Sequence, residues 1–336
     1  MVSSSAFERF ESLKRRLMKD TRVRALERLT SPDTHPGLRP GLLLLKLLRI
    51  LVTYFARRVT QGWSVRRALK SLRKLEGSAF GVDVLVIGGG PSASSLNEKE
   101  VARRQSEGTL IVVATNYFLS TELAKEISPD YLVWSDEVFH PRNRHKKDAW
   151  ADPEFFHKNR EYGEPWELLQ GRPETTLVSP FTWLKDLENS ELRNRVVYFN
   201  DESLEGWSRN ISPLKARGYH GSTGVKAIAF ALFLKPNSCF IIGVDLSNFT
   251  SFSVDQENRL IRKPQHIAGA DSGTLDISSY ASSGIADVIY AAASELLVIK
   301  RLFPAERVVN LGLSSLVDAF PRCASHELLK KGSTEK

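Results

Sequence analysis

Three consecutive glycines follow a short apolar segment, and this pattern restricts the possible folds more than any other part of the chain. Val82–Ile87 is apolar and β-branched, and it runs into Gly88–Gly90, Pro91 and Ser92. Glycines permit a tight turn and a close backbone approach, and the free N–H groups of a helix N-terminus attract phosphate. Proline suits the first helical turn. The pattern predicts a strand, a turn and a helix start that can together hold a phosphate.

Further apolar segments follow at the spacing of an α/β fold. Six of them predict strands: Leu110–Ala114, Tyr131–Trp134, Thr176–Ser179, Arg195–Phe199, Ser238–Val244 and Val308–Leu311. Three others predict helices: Leu119–Ile127, Val225–Phe233 and Ile285–Arg301. This alternation indicates a mostly parallel sheet with helices on both faces.

The glycine turn alone also fits a dinucleotide-binding pattern, Gly-x-Gly-x-x-Ala. A dinucleotide enzyme needs an acidic residue after the second strand to bind the ribose hydroxyls. The second strand ends instead in Thr115, Asn116 and Tyr117. The sequence therefore disfavours NAD and flavin, and a turn used only for chain reversal remains an alternative.

Polar residues end several of the predicted strands. Asn116, Asp136 and Asp245 each follow an apolar run, as the glycine turn does. Open α/β sheets bind ligands outside the carboxyl ends of their strands. We therefore expect these residues to line one binding site.

The positive charge of the chain is concentrated in its first quarter. Residues 1–76 hold 18 of the 47 Lys and Arg residues and 6 of the 39 Asp and Glu residues, so this region carries +12 and the remainder −4. Helices are predicted at Phe7–Thr30, Gly41–Thr60 and Trp63–Leu75. The apolar second helix could pack on the body, in a homo-oligomer, or on an anionic membrane through residues 41–75. Nucleic acid is disfavoured, because aromatic residues do not alternate with the basic ones.

Other sequence features exclude several classes of protein. Cys239 and Cys323 are the two cysteines, which are too few for a disulfide framework or a cysteine metal site. No secretory signal is visible, and the apolar stretch Leu42–Ala56 is short and interrupted by Lys46 and Arg49. We expect a cytoplasmic protein that could lie peripherally on the inner face of the cytoplasmic membrane.

Five sequence elements, in this order and spacing, resemble those of the family-42 sialyltransferases and of the related motility-associated-factor and pterin-pyrophosphokinase-like proteins. The elements are Ile87-Gly88-Gly89-Gly90-Pro91-Ser92, Thr115-Asn116, Trp134-Ser135-Asp136, Ser222-Thr223-Gly224-Val225 and Ile242-Gly243-Val244-Asp245. The resemblance covers roughly residues 82–312 and leaves the N-terminal quarter outside.

The resemblance implies one Rossmann-like domain over residues 77–320, with a lid at about 246–284, between the helical region 1–76 and a polar tail at 321–336. It implies transfer of an acidic sugar, of the sialic acid or Kdo type, from a CMP-activated donor to a cell-surface glycan that could be lipid-linked. The reaction would proceed by inversion, without a metal or a cofactor.

The resemblance also assigns roles to residues. Those that would bind the nucleotide and donor sugar are Gly88, Gly89, Gly90, Pro91, Ser92, Asn116, Asp136, Ser222, Thr223, Gly224 and Asp245. His266 is the nearest match to the catalytic histidine of the family's lid. His220 and His140 are alternatives for this base.

The sequence departs from the family where two tyrosines stabilise the leaving phosphate. Ser247 and Phe252 stand at those positions. Candidates to replace the tyrosines are Tyr280, Tyr219, Arg259, Arg262 and Lys263. This departure favours one alternative, a non-catalytic nucleotide-binding scaffold of the same fold. Another is a pterin pyrophosphokinase-like enzyme that uses ATP and magnesium, with Asp136 and Asp245 as metal ligands.

Overall fold

The computed structural model divides into two compact units, Met1–Arg67 and Ala68–Lys336. The residues that the structure describes are 48, 52, 66–143, 164–201, 211–215, 222–245, 252–254, 260–262, 275–276, 295–313, 315 and 317–323. In the first unit these include Leu48 and Val52, which are helical and exposed. The predicted helix Phe7–Thr30, most of Gly41–Thr60 and the polar tail after residue 323 lie outside the described residues.

The second unit is built on a seven-stranded parallel sheet with the strand order β10-β6-β1-β2-β3-β4-β5. Its strands are β1 (Asp83–Ile87), β2 (Leu110–Thr115), β3 (Tyr131–Val133), β4 (Thr176–Pro180), β5 (Val196–Phe199), β6 (Cys239–Ile242) and β10 (Val308–Asn310). In the register, Val84 pairs with Cys239 on one side and Ile111 on the other. The α/β fold class predicted from the alternating apolar segments is confirmed, and all seven predicted strands are present.

Helices and short 3-10 turns connect these strands. The helices are α1 (66–73), α2 (Glu98–Ser106), α3 (Leu123–Glu126), α4 (Glu164–Gln170), α5 (Leu184–Glu188), α6 (Thr223–Phe233) and α7 (295–302). A separate three-stranded antiparallel sheet contains β7 (Phe252–Val254), β8 (Leu260–Arg262) and β9 (Leu275–Asp276). These three strands lie in the range expected to form the lid.

Helix α6 is the central helix of the core. Eight of its eleven residues are buried, and it packs on β1, β2, β3 and β6. The central strands are apolar on both faces, as is typical of a parallel sheet that is covered on both sides. Ala68 and Leu72 of α1 are buried against the same body, so the α/β unit includes the end of the basic region.

A helix starts directly after the glycine turn as predicted, but it has the 3-10 form and is short. Pro91–Ser95 forms a five-residue 3-10 helix, and α2 begins only at Glu98. Asn97 caps α2, and its side chain accepts a hydrogen bond from the Glu100 N–H at 3.2 Å. The predicted helix Leu119–Ile127 is similarly reduced, to a 3-10 turn at Asn116–Ser120 and the four residues of α3.

The glycines at the ends of β1 and β6 allow these neighbouring strands to continue into touching loops. A Cβ at Gly88 would overlap the carbonyl group of Gly243, and its nearest approach to the carbonyl carbon would be 2.6 Å. Gly243 also has a φ of +71°, which favours glycine. Both positions therefore require glycine to bring the two loops together.

We predict that Gly243→Ala lowers the free energy of unfolding by about 2–3 kcal/mol more than Gly108→Ala does. Gly108 also has a positive φ, +68°, but no atom lies within 4 Å of a Cβ placed there. Both variants share the backbone penalty of a positive φ. The difference between their free energies of unfolding therefore measures the overlap with Gly88. Urea denaturation measures both values, and equal losses would contradict the importance of the loop contact.

Candidate functional site

The five elements that carry the sequence resemblance meet at the carboxyl edge of the parallel sheet. The glycine turn leaves β1, Asn116 leaves β2, and Ser135 follows the end of β3. Thr223 begins α6, and its hydroxyl lies 2.8 Å from that of Ser135. A Cβ on Gly224 would lie 3.1 Å from Val244, beyond the end of β6. Segments separated by more than 150 residues thus form one surface.

Ser92 and Asp245 bind each other at this edge. The Ser92 N–H donates to Oδ2 of Asp245 at 2.8 Å, and the Ser92 hydroxyl donates to Oδ1 at 2.5 Å. The Ser92 oxygen also accepts the N–H of Gly243 at 2.9 Å. Both residues are buried, Asp245 to 4% exposure. We call this arrangement the Ser92–Asp245 clasp.

The clasp changes the role that the glycine turn can play. The Gly90 N–H donates to the carbonyl oxygen of Gly243 at 2.7 Å, and a Cβ on Gly90 would overlap the Asp245 carboxylate. A phosphate at the Ser92 N–H would have to displace this carboxylate, whose charge has the same sign as its own. In this structure, Ser92 and Asp245 stabilise the turn, in which Gly88 is buried and Gly89 and Gly90 are partly exposed.

A cationic side chain lies at the start of α6, on the same edge. The Nζ of Lys226 donates to the hydroxyl oxygen of Ser135 at 2.8 Å, in the same cluster as Thr223. Lys226 is the fourth residue of α6, where a positive charge opposes the helix dipole. Ser135, Thr223 and Lys226 therefore form a cationic, hydroxyl-rich cluster suited to an anionic ligand.

The start of α6 is held in place from two sides. The Ser222 side chain caps the helix and accepts the N–H of Val225 at 3.4 Å. The Ser222 N–H donates at 2.5 Å to the carboxylate of Glu295, a buried residue of α7. These contacts fix the first turn of α6, which carries Thr223 and Lys226.

Asn116 combines an unusual backbone with an unpaired side-chain atom. Its φ is +50°, which is uncommon for a residue other than glycine. Its carbonyl oxygen accepts the indole N–H of Trp134 at 3.0 Å, which joins the ends of β2 and β3. Its Oδ1 is buried and has no hydrogen-bond partner among the described residues. A strained position with an unused acceptor is typical of a ligand contact.

The loop after β3 places Asp136 and His140 beside an aromatic cluster. Oδ1 of Asp136 accepts the N–H of Val138 at 3.2 Å, and Trp134 stacks on Phe139 with ring centres 4.9 Å apart. Nδ1 of His140 accepts the N–H of Arg142 at 3.2 Å.

The other ring nitrogen of His140, Nε2, lies 3.6 Å from Oδ2 of Asp186. The imidazole also meets the edge of Trp183 at a centroid distance of 5.1 Å. Both nitrogens of His140 thus face protein groups. His266 and His220, the first candidates for a base, lie outside the described residues.

Several polar residues at this edge were missed by the sequence analysis. Asn310 donates to the carbonyl oxygen of Val317 at 3.1 Å and accepts the N–H of Gly312 at 2.9 Å. The hydroxyl of Ser315 donates to the carbonyl oxygen of Val244 at 3.2 Å. The polar groups at the β10 and β6 part of the edge are thus bonded to other protein groups. Lys226 and Glu295 were also missed, because each acts through a partner distant in sequence.

A second group of buried polar residues lies on β4 and β5. Ser179 and Tyr198 are register partners, and neither hydroxyl has a hydrogen-bond partner within the described part of the chain. Burial and, to a smaller extent, the charge of Glu188 raise the pKa of Tyr198 above its ordinary value. Tyr198 is therefore a neutral phenol at physiological pH.

Comparison with known proteins finds only distant structural likeness. No protein-family profile matches the chain, and no curated protein matches it. Among solved structures, a similar one is that of the MAf glycosyltransferase from Magnetospirillum magneticum AMB-1, with 14% sequence identity and a TM-score of 0.42. The alignment covers 80% of this chain and 40% of that one, so this chain spans about two fifths of the length of that protein. The α/β fold class therefore rests on the seven-stranded sheet itself.

We predict that Ser92→Ala lowers the free energy of unfolding by about 2–3 kcal/mol, because it leaves the Gly243 N–H and one oxygen of Asp245 buried without a partner. Ser94→Ala is the matched control. The Ser94 hydroxyl is exposed and bonds only to the nearby carbonyl oxygen of Pro91, so its loss should change stability by less than about 0.5 kcal/mol. Urea denaturation of the two variants checks this, and similar values would show that the clasp adds no stability.

Proposed function

We propose that this protein is a glycosyltransferase that moves an acidic sugar from a CMP-activated donor to a glycan acceptor. The observation that carries the proposal is the meeting of all five resemblance elements at one carboxyl edge of a parallel sheet. Open α/β sheets bind nucleotides at this edge. The sequence pattern and the geometry thus favour the same site, although neither identifies the sugar.

The position of the donor phosphate in this proposal differs from the one implied by the resemblance. The clasp uses the polar groups of Ser92, whereas the cluster of Ser135, Thr223 and Lys226 offers hydroxyl groups and a cation. We place the phosphate of CMP at this cluster, beside the first turn of α6. The unpaired Oδ1 of Asn116 then accepts a hydrogen bond from the nucleotide or the donor sugar.

The proposed reaction exchanges one bond at the anomeric carbon. An acceptor hydroxyl oxygen attacks this carbon as the bond to the phosphate oxygen of CMP breaks, and the base takes the hydroxyl proton. His266 is our candidate for this base, with His220 as its alternative, because imidazole titrates near neutral pH. Lys226 stabilises the charge that develops on the leaving phosphate, the work that two tyrosines do in the family.

No observation favours the magnesium-dependent alternative. That alternative needs the carboxylates of Asp136 and Asp245 as ligands. Both oxygens of Asp245 are bonded to Ser92, and Asp136 accepts a backbone N–H. The non-catalytic scaffold is favoured by Ser247 and Phe252, which stand where the family has tyrosines. Such a scaffold would bind the nucleotide at the same site but would not catalyse the transfer of the sugar.

We predict that CMP raises the melting temperature of the protein without magnesium, because a ligand that binds only the folded state stabilises it by about 2.7 kcal/mol at 100 times its Kd. A thermal-shift panel of CMP, CDP, UDP, GDP, ATP and NAD, each with and without magnesium, measures this. A response to ATP with magnesium alone would contradict the proposal. Binding of CMP with no hydrolysis or transfer of a CMP-sugar would identify the scaffold.

We predict that Lys226→Met weakens CMP binding roughly 10- to 100-fold, since a hydrogen bond to a charged group contributes about 1.5–3 kcal/mol. Binding of cytidine, which lacks the phosphate, should change little. Lys99→Met, at an exposed residue of α2, is the control. Isothermal titration measures the affinities of the unchanged protein and of both variants for CMP and for cytidine. An equal loss for cytidine and CMP would mean that Lys226 supports the structure and not the phosphate.

A further inference from the structure

Helix α1 has one apolar side and one basic side. Ala68 and Leu72 are buried in the core, while Lys70, Arg73 and Lys74, which directly follows the helix, are exposed. At 100° per residue, the three cations fall within about 100° of arc on the side opposite Leu72. The α/β body thus holds α1 by its apolar side and presents its basic side outward.

An exposed aromatic residue follows this helix. Phe80 is 86% exposed, and it lies in a turn that is bonded to the end of α6. The N–H of Gly77 donates to the carbonyl oxygen of Phe233 at 3.2 Å, and the N–H of Ala79 donates to that of Leu234 at 2.9 Å. These bonds fix the turn that carries Phe80.

The sequence before α1 continues the same chemistry. Residues 34–65 contain five Lys and Arg residues and no Asp or Glu. They include the apolar stretch Leu42–Ala56, of which Leu48 and Val52, one helical turn apart, are helical and 58% and 56% exposed. Apolar helical surface next to basic residues is typical of chains that lie in the headgroup region of a membrane.

We propose that the basic face formed by Lys70 and Arg73 of α1 and by the following Lys74, together with Phe80, docks the protein on an anionic lipid bilayer. Each cation near such a surface contributes about fivefold in affinity, because its attraction is worth about 1 kcal/mol. Phe80 adds apolar contact with the lipid. A nucleic-acid site that binds through charge alone would gain nothing from such a contact.

The docking face leaves the candidate site open. The turn of Phe80 is bonded to the carboxyl end of α6, whereas Thr223 and Lys226 are at its amino end. An eleven-residue helix is about 16 Å long. The bilayer and the candidate site thus lie at opposite ends of α6.

The test is co-sedimentation of the full chain with vesicles of phosphatidylcholine, with and without roughly one third phosphatidylglycerol. The test variant is Lys70→Gln/Arg73→Gln/Lys74→Gln. The matched control, Lys99→Gln/Lys215→Gln/Arg301→Gln, removes three exposed cations elsewhere on the body. We expect the unchanged protein to bind only the anionic vesicles. Its affinity for them should fall about 100-fold in the test variant and much less in the control. Thermal melts confirm that both variants fold.

A second variant tests the apolar contact. Phe80→Ala should weaken binding several-fold at both about 0.1 M and about 0.5 M salt, because the contact of an aromatic ring with lipid is not screened. Equal losses in the two triple variants would mean that only net charge matters, and this would overturn the proposal. The proposal would also be overturned if the protein did not bind anionic vesicles, or if it bound RNA in place of them. None of these measurements involves a sugar donor, so they are independent of the proposed activity.

Discussion

The Ser92–Asp245 clasp joins the ends of β1 and β6, and the order of the carboxyl edge depends on it. One hydroxyl and one N–H of Ser92 satisfy both oxygens of a buried carboxylate, and the same hydroxyl accepts the N–H of Gly243. Without these bonds, the Asp245 carboxylate would be buried with no partner, which is strongly unfavourable. The clasp works only because Gly88, Gly90 and Gly243 let the two loops touch.

The clasp divides the carboxyl edge into two halves with different chemistry. At β10, β6 and β1, the polar groups of Asn310, Ser315, Ser92 and Asp245 bond to protein partners. At β2, β3 and the start of α6, the Asn116 acceptor that has no partner among the described residues lies at the same edge as the cation of Lys226. The half at β10, β6 and β1 provides rigidity, and the other half carries the groups to which we assign nucleotide binding.

The sequence predicted the sheet well because each strand is a continuous apolar run, which is a local signal. It predicted that polar residues end these strands, but it could not distinguish a ligand contact from a contact between two loops. Ser92 and Asp245 are 153 residues apart, and nothing local to either residue shows that they are partners. Lys226 was missed for the same reason, since its role depends on how α6 lies against Ser135. The helix that starts at Pro91 is a 3-10 helix, a form that is frequent in short connectors and that the local sequence does not distinguish from an α-helix.

Helix α6 connects the two surfaces to which we assign functions. Its amino end carries Thr223 and Lys226, and its carboxyl end accepts the N–H groups of the turn that presents Phe80. Because eight of its eleven residues are buried, α6 cannot rotate or slide without disrupting the core. A bilayer bound at the Phe80 turn would therefore be separated from the proposed nucleotide site by a rigid helix and not by a flexible linker.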